Sequence, residues 1–154
     1  HYLPCRAKKL RSYATTKMKP EELWPYLTTN PDTFSEYGSE DTLSMEWVEP
    51  GVRFRQICRS GDLAKIEEIH TIEVKDPHQR YCFSFEVPDA TAAASVSSGS
   101  KEIKMIPNGS GTRLESIREF DRVSIRAQLL IWIDDGMGRV DDEIVQSAEA
   151  AHSS

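Results

Sequence analysis

The sequence predicts an α+β fold: a curved antiparallel sheet of about seven strands wrapped around a long C-terminal helix, with one or two short helices after strand 1. Three observations predict it. From Asp41 to Asp121 apolar and polar residues alternate with period two, and turn clusters at hairpin spacing interrupt the alternation, so successive strands run antiparallel. From Ser124 to about Ala151 apolar residues instead recur at spacings of three and four. Between an isolated first strand and the period-two region lies Met18-Lys19-Pro20-Glu21-Glu22, a helix start. A sheet of this length must hide one face, and the C-terminal helix is the large partner the sequence offers. A curved sheet gripping a helix leaves a cleft between them.

Each element has its own signal. Residues 8–17 are extended, with Leu10, Tyr13 and paired threonines. In the first helix Pro20 suits the first turn, Glu21 and Glu22 suit the helix dipole, and Leu23, Trp24 and Leu27 supply an apolar face, while Pro25 bends or shortens it. Asn30-Pro31-Asp32 breaks the chain and starts a second short helix through Phe34 and Tyr37, ended by Gly38. Leu43, Met45 and Trp47 alternate with Ser44 and Glu46. After the turn at Glu49-Pro50-Gly51, Val52, Phe54, Gln56 and Cys58 share a face, with Arg53, Arg55 and Arg59 on the wet side. After Ser60-Gly61-Asp62, Ile66, Glu68, His70, Ile72 and Val74 share a face opposite Lys65, Glu67, Thr71 and Glu73. Lys75-Asp76-Pro77-His78 turns into a strand that aligns Tyr81, Phe83, Phe85 and Val87. Pro88 to Ser100 is small and polar with a weak pattern; Ile103 and Met105 restore the alternation before the turn at Pro107-Asn108-Gly109-Ser110-Gly111. The last strand sets Leu114, Ser116, Arg118 and Phe120 against Arg113, Glu115 and Glu119. In the final helix Ser124 is the expected N-cap and Leu130, Ile133, Met137, Val140 and Ile144 form the stripe. Asp135, Arg139 and Asp142 are expected outside, and Gly136 and Gly138 mark a bend or a close approach to the sheet.

The 154 residues, 38% hydrophobic and 29% charged, fit one domain, 1–154, with its core in about 8–150, and without disulfide staples. The longest apolar run is Leu129 to Ile133, so no stable membrane insertion is expected. A net charge of −6 argues against nucleic acid as a partner, and the basic cluster Arg6, Lys8, Lys9 and Arg11 is too short to reverse that. Cys5, Cys58 and Cys82 are odd in number and widely spaced, which points to free thiols in a reducing, cytoplasmic setting. The sequence shows no leader pattern, and because it opens at His1 rather than Met the native N-terminus is expected to differ.

Three stretches resemble a known superfamily. They are Pro20-Glu21-Glu22-Leu23-Trp24-Pro25-Tyr26-Leu27, Glu49-Pro50-Gly51-Val52-Arg53-Phe54 and Pro107-Asn108-Gly109-Ser110-Gly111-Thr112-Arg113-Leu114. With the element order they resemble the START/Bet v 1-like (SRPBCC) superfamily, the helix-grip fold, and within it the polyketide cyclase/dehydrase-like branch, over residues 8 to 150. The resemblance implies a deep, largely apolar cavity between sheet and long helix that holds a hydrophobic small molecule. Members bind lipids, sterols, plant metabolites or polyketides; some catalyse cyclisation, aromatisation or dehydration and others only carry ligand. The superfamily shares no catalytic motif, so none is carried over.

The residues themselves offer candidates wherever a polar side chain falls on the apolar face, because burial without partners is costly. Glu68, His70 and Arg118 stand out, with Gln56 and Ser116 weaker. Glu68 and His70 are two apart on one strand, about 7 Å along it, pointing the same way. A carboxylate and an imidazole in an apolar cavity suit base and acid roles, and Arg118 suits a ligand carboxylate or an enolate oxygen. The set fits an aldol-type ring closure or a dehydration. The bland alternatives stay open: Glu68 and Arg118 as an ion pair, a bulge before Glu68 that turns both residues to solvent, or ligand contact without catalysis. Tyr81 is a further proton donor or an aromatic packed in the sheet.

Trp24, Phe34, Tyr37, Trp47, Phe54, Phe83 and Phe85, with Leu130, Ile133 and Met137 from the helix, are the expected pocket lining. No HExxH, cysteine cluster or Asp/His spacing supports a metal, and Asp134-Asp135 and Asp141-Asp142-Glu143 are expected on solvated helix faces. No GxSxG supports a serine hydrolase, and no cofactor is expected. Three functions remain: a cofactor-free cyclase or dehydratase, a carrier or sensor of a lipid-like or aromatic ligand, and a protein-interaction module of the same fold. A homodimer is compatible with each.

Overall fold

The computed structural model describes residues 8–37, 42–60, 64–88, 96–123 and 136–153. In chain order they form β1 (Lys8–Thr16), α1 (Pro20–Leu27), α2 (Phe34–Tyr37), β2 (Thr42–Glu49), β3 (Arg53–Ser60), β4 (Ala64–Asp76), β5 (Arg80–Glu86), β6 (Val96–Asn108), β7 (Gly111–Val123) and α3 (Gly136–Ser153). The seven strands make one antiparallel sheet in the order β1-β7-β6-β5-β4-β3-β2. Strands β2 to β7 form a meander, each pairing with the next in the chain. β1 and β2 occupy opposite edges, so α1 and α2 lie on the path that carries the chain across the sheet. This is the expected helix-grip arrangement.

Helix α1 is eight residues long. Pro20 sits in its first turn beside Glu21 and Glu22, and Pro25 lies inside it. Thr28 closes it: both its backbone N–H (3.2 Å) and its hydroxyl (3.0 Å) donate to the Trp24 carbonyl. Leu23 and Leu27 enter a core made with Ala14, Met18, Tyr81, Ile103, Met105 and Leu114 from the sheet and Val145 and Ala148 from α3. Helix α3 lies against β1 and α1, so this core fills the β1 end of the concave face. No helix among the described residues is long and apolar enough to cross a membrane.

Two expectations need correction. The β3–β4 register is unbroken from Arg53↔Thr71 to Ser60↔Ala64, so no bulge turns Glu68 and His70 away. The irregularity falls later, between Ile72 and Val74, and places Val74 opposite Cys82 instead of on the His70 face. On α3 the buried residues are Asp141, Val145 and Ala148, with Ile144 partly buried. Asp142 is exposed as expected, but Asp141, expected on a solvated face, is 1% exposed. The inward stripe is one residue out of phase with the apolar pattern, about 100° around the helix. Gly136 opens the described helix; Ser124, Leu130, Ile133, Asp134 and Asp135 lie outside the described residues, as do the side chains of Tyr37, Met137, Arg139 and Val140.

Candidate functional site

Residues directly opposite on paired strands share a face, so the register lists the concave surface row by row. One row is Trp47, Phe54, His70, Phe85, Gly99 and Phe120. The row on one side joins Met45, Gln56 and Glu68. On the other side run Ile72, Phe83, Lys101, Arg118 and Leu10, followed by Tyr81, Ile103, Ser116 and Ser12. Gly99 makes room in the first row: a Cβ there would meet the Glu119 carbonyl oxygen and the Phe85 ring.

His70 is the centre of the aromatic part. Its ring stacks on Phe54 (4.9 Å between centroids, 24°) and on Phe83 (5.0 Å, 22°), with Phe85 tilted at 6.2 Å. It is 7% exposed, and neither Nδ1 nor Nε2 has a hydrogen-bond partner. Nε2 lies 3.8 Å from Glu68 Oε1, too far for a hydrogen bond and close enough to exchange a proton through a bound group. Glu68 Oε2 faces the Cys58 thiol at 3.8 Å. Burial, then the Glu68 charge, pushes that thiol up to about 11, so Cys58 stays protonated. Gln56 Nε2 donates to Cys58 Sγ at 2.9 Å and to Thr42 Oγ1 at 3.4 Å, which leaves its buried Oε1 unpartnered.

Next to the aromatic part is a buried charge cluster. Lys101 and Arg118 stand directly opposite each other on β6 and β7. Asp141 reaches them from α3: its Oδ1 lies 3.5 Å from Lys101 Nζ, and its Oδ2 accepts a short hydrogen bond from the Ser12 hydroxyl. Burial and then the neighbouring guanidinium lower Lys101 to about 8, against the pull of Asp141. Burial also lowers Arg118, with Asp141 and Glu68 opposing. Among the described residues no carboxylate comes within 4.0 Å of the Arg118 guanidinium, which lies 5.8 Å from the centre of the Phe120 ring. Ser116, two residues before Arg118 and on the same face, is fully buried with an unpartnered hydroxyl.

Of the expected site residues, Phe54, Phe83, Phe85, Glu68, Gln56 and His70 come together, and Arg118 and Ser116 stand one and two rows away. Trp47 meets Phe54 edge-on at 5.9 Å, while its indole N–H donates to Asp32 at 3.1 Å. Trp24 and Tyr81 belong to the packed core: their rings meet edge-on at 6.3 Å, and the Tyr81 hydroxyl donates to the Thr29 carbonyl at 3.3 Å. Burial raises the Tyr81 phenol, so it is a packed aromatic with an engaged hydroxyl. Phe34 is partly buried on α2.

Lys101, Asp141 and Ser12 are the polar residues that the sequence reading missed. Lys101 continues the Ile103–Met105 alternation inward, which is a readable signal; Asp141 carries none within its own helix. An open pocket of about 740 Å³ lies elsewhere, at the far end of β1 and β7, and no expected site residue lines it. Four of its polar side chains are mutually paired, Thr16 with Glu149 at 2.6 Å and His152 with Glu22 at 3.0 Å.

No family model and no curated protein matches the sequence. Solved structures do. Ara h 8.0201 aligns with a TM-score of 0.72 at 14% identity, over 96% of this chain and 99% of that one. A protein of unknown function from Staphylococcus aureus aligns with a TM-score of 0.72 at 11% identity, over 97% and 98% of the two chains. The di-domain ARO/CYC StfQ from the steffimycin biosynthetic pathway aligns with a TM-score of 0.68 at 11% identity, over 97% of this chain and 53% of that one. At these identities the likeness establishes the fold, and it is the helix-grip fold expected from the sequence.

Proposed function

We propose that the concave face binds a hydrophobic small molecule carrying polar groups, and that Glu68, His70 and Arg118 catalyse its cofactor-free cyclisation or dehydration. One observation carries the binding reading. His70 Nδ1 and Nε2, Gln56 Oε1 and Ser116 Oγ are buried without partners along one surface lined with aromatic rings. Each such group costs about 1–3 kcal/mol unless something satisfies it. A ligand with apolar body and matching donors and acceptors does so, and the rings stack on its flat parts. The StfQ fold adds support for the polyketide-like class, as a likeness of shape.

The chemistry follows from the positions. The Glu68 carboxylate takes a proton from a carbon between two carbonyls, and Arg118 holds the resulting enolate oxygen. The enolate carbon attacks a second carbonyl of the same molecule, forming a C–C bond, and the new alkoxide takes a proton from the His70 imidazolium. Proton return from Glu68 to His70 restores both groups, so the ring closure is a net isomerisation. Loss of the hydroxyl with the neighbouring proton then releases one water.

Native mass spectrometry of freshly purified protein tests binding, with a retained small-molecule adduct as the expected result. With that molecule or a matching polyketone, Glu68→Gln and His70→Ala should abolish product while binding remains. Loss of affinity with no turnover in the parent protein would reduce the function to carriage. Absence of any bound molecule would leave the concave face as a protein-interaction surface.

A further inference from the structure

Among the described residues the charge cluster has two cations and one carboxylate at ion-pair distance. Antiparallel pairing puts the Lys101 and Arg118 Cα atoms directly opposite, so two cationic side chains rise from neighbouring points of one face. Among the described residues one carboxylate, Asp141, lies within ion-pair distance of either, and it is shared with Ser12. Its 3.5 Å separation from Lys101 is long for a charge-assisted hydrogen bond, which is about 2.7–2.9 Å. Ammonium and guanidinium N–H groups are therefore left over, and both Asp141 Oδ1 and the Ser116 hydroxyl, one row away on the same face, are buried without a hydrogen-bond partner. Two like charges that share one carboxylate at ion-pair distance, with Glu68 acting on Arg118 from farther off, are unfavourable in a low-dielectric setting, and a bound anion corrects that.

We propose that Lys101, Arg118 and Ser116 form a seat for one carboxylate of the ligand, so that the substrate class is a hydrophobic carboxylic acid. The inference rests on the ligand-binding reading above and narrows it. A carboxylate matches the site in charge and shape: its two oxygens accept a parallel pair of N–H bonds from Arg118 and a third from Lys101. The guanidinium has five N–H donors, so others remain for an enolate oxygen on the Glu68 side. Asp141 holds Lys101 in place while the seat is empty, and it competes with the incoming acid for the same ammonium.

Isothermal titration with 6-methoxy-2-naphthoic acid and with its primary amide, which differ in charge and share their rings, tests this. The acid should bind at least about tenfold more tightly than the amide. Lys101→Met should cut that advantage several-fold, to what Arg118 alone supplies, and leave the amide within about twofold. Asp141→Asn should tighten the acid about threefold or more and leave the amide unchanged, because the competing carboxylate is gone. This second variant keeps the question open to refutation if Lys101→Met does not fold. Equal binding of acid and amide overturns the carboxylate seat and leaves the ligand-binding reading standing. Binding of neither overturns both, and weaker acid binding by Asp141→Asn overturns the seat alone.

Discussion

Replacing His70 with leucine should make the ligand-free protein more stable and leave it functionless. An imidazole has two ring nitrogens that each need a hydrogen-bond partner, and here both are buried without one. At about 1–3 kcal/mol each, the two groups cost roughly 2–6 kcal/mol. Leucine removes them at nearly constant volume, which cores tolerate well. It also loses two ring stacks, with Phe54 and Phe83, worth about 0.5–1.5 kcal/mol each. At the middle of these ranges leucine is favoured by about 2 kcal/mol, or roughly 4–8 °C in Tm for a chain of this length. Differential scanning calorimetry of ligand-stripped wild type and variant measures it. His70→Asn, which keeps polar atoms in a smaller side chain, should melt below the wild type and serves as the control. A leucine variant that melts several degrees below the wild type would show that the imidazole nitrogens are satisfied in the folded protein. The His70 nitrogens would then offer a ligand nothing to satisfy, and the concave face would lose its main mark of a binding site.

Other consequences can be measured separately. Because Lys101 is lowered from 10.5 to about 8, the folded state binds fewer protons than the unfolded one between those values, so its charged form opposes folding below pH 8 and stability rises as pH passes through 8. Between pH 8 and 9 this adds about 1 kcal/mol to wild type and nothing to Lys101→Met. The raised Cys58, Cys82 and Tyr81 act in the opposite sense above pH 9 and cancel when urea melts of the two proteins are subtracted. A difference that stays flat with pH would mean that Lys101 is not desolvated. Gly99→Ala should lower Tm by several degrees, because the new methyl meets the Glu119 carbonyl and the Phe85 ring, and its amide exchange should rise along β6 and β7. Thr112→Val should lose about 1–3 kcal/mol in urea melts, since the fully buried hydroxyl donates to the Met18 carbonyl at 2.7 Å.

The aromatic and acid–base part of the site was legible because β3, β4 and β5 keep strict alternation where it matters. Phe54 and Gln56, Glu68 and His70, Phe83 and Phe85 fall on one face by counting alone, and the unbroken β3–β4 register preserves the count. Val74 was misplaced because a bulge adds a residue without any turn-forming side chain to announce it. The start of β6 was faint for a steric reason. Gly99 stands under the Phe85 ring and against the β7 backbone, so the strand gives up a side chain where a pattern would need one.

Asp141 shows why the charge cluster was harder to see. A helix pattern is phased on apolar residues, and Val140 with Ile144 set a phase that leaves Asp141 outside. The helix instead buries Asp141, Val145 and Ala148, which repeat at spacings of four and three just as well. Burial of an aspartate is unfavourable alone, so nothing within α3 recommends that phase. What recommends it is Lys101 and Ser12, on strands 40 and 129 residues away in sequence. Those two residues lie inward by strand parity, which is readable: Lys101 stands two before Ile103, and Ser12 pairs with Ser116. The inward charges of a sheet thus predict the phase of the helix that covers it, because a buried cation requires an anion from whatever packs above. By the same reasoning Arg118, left without a carboxylate among the described residues, marks the place where the protein's own charges stop short and a ligand's begin.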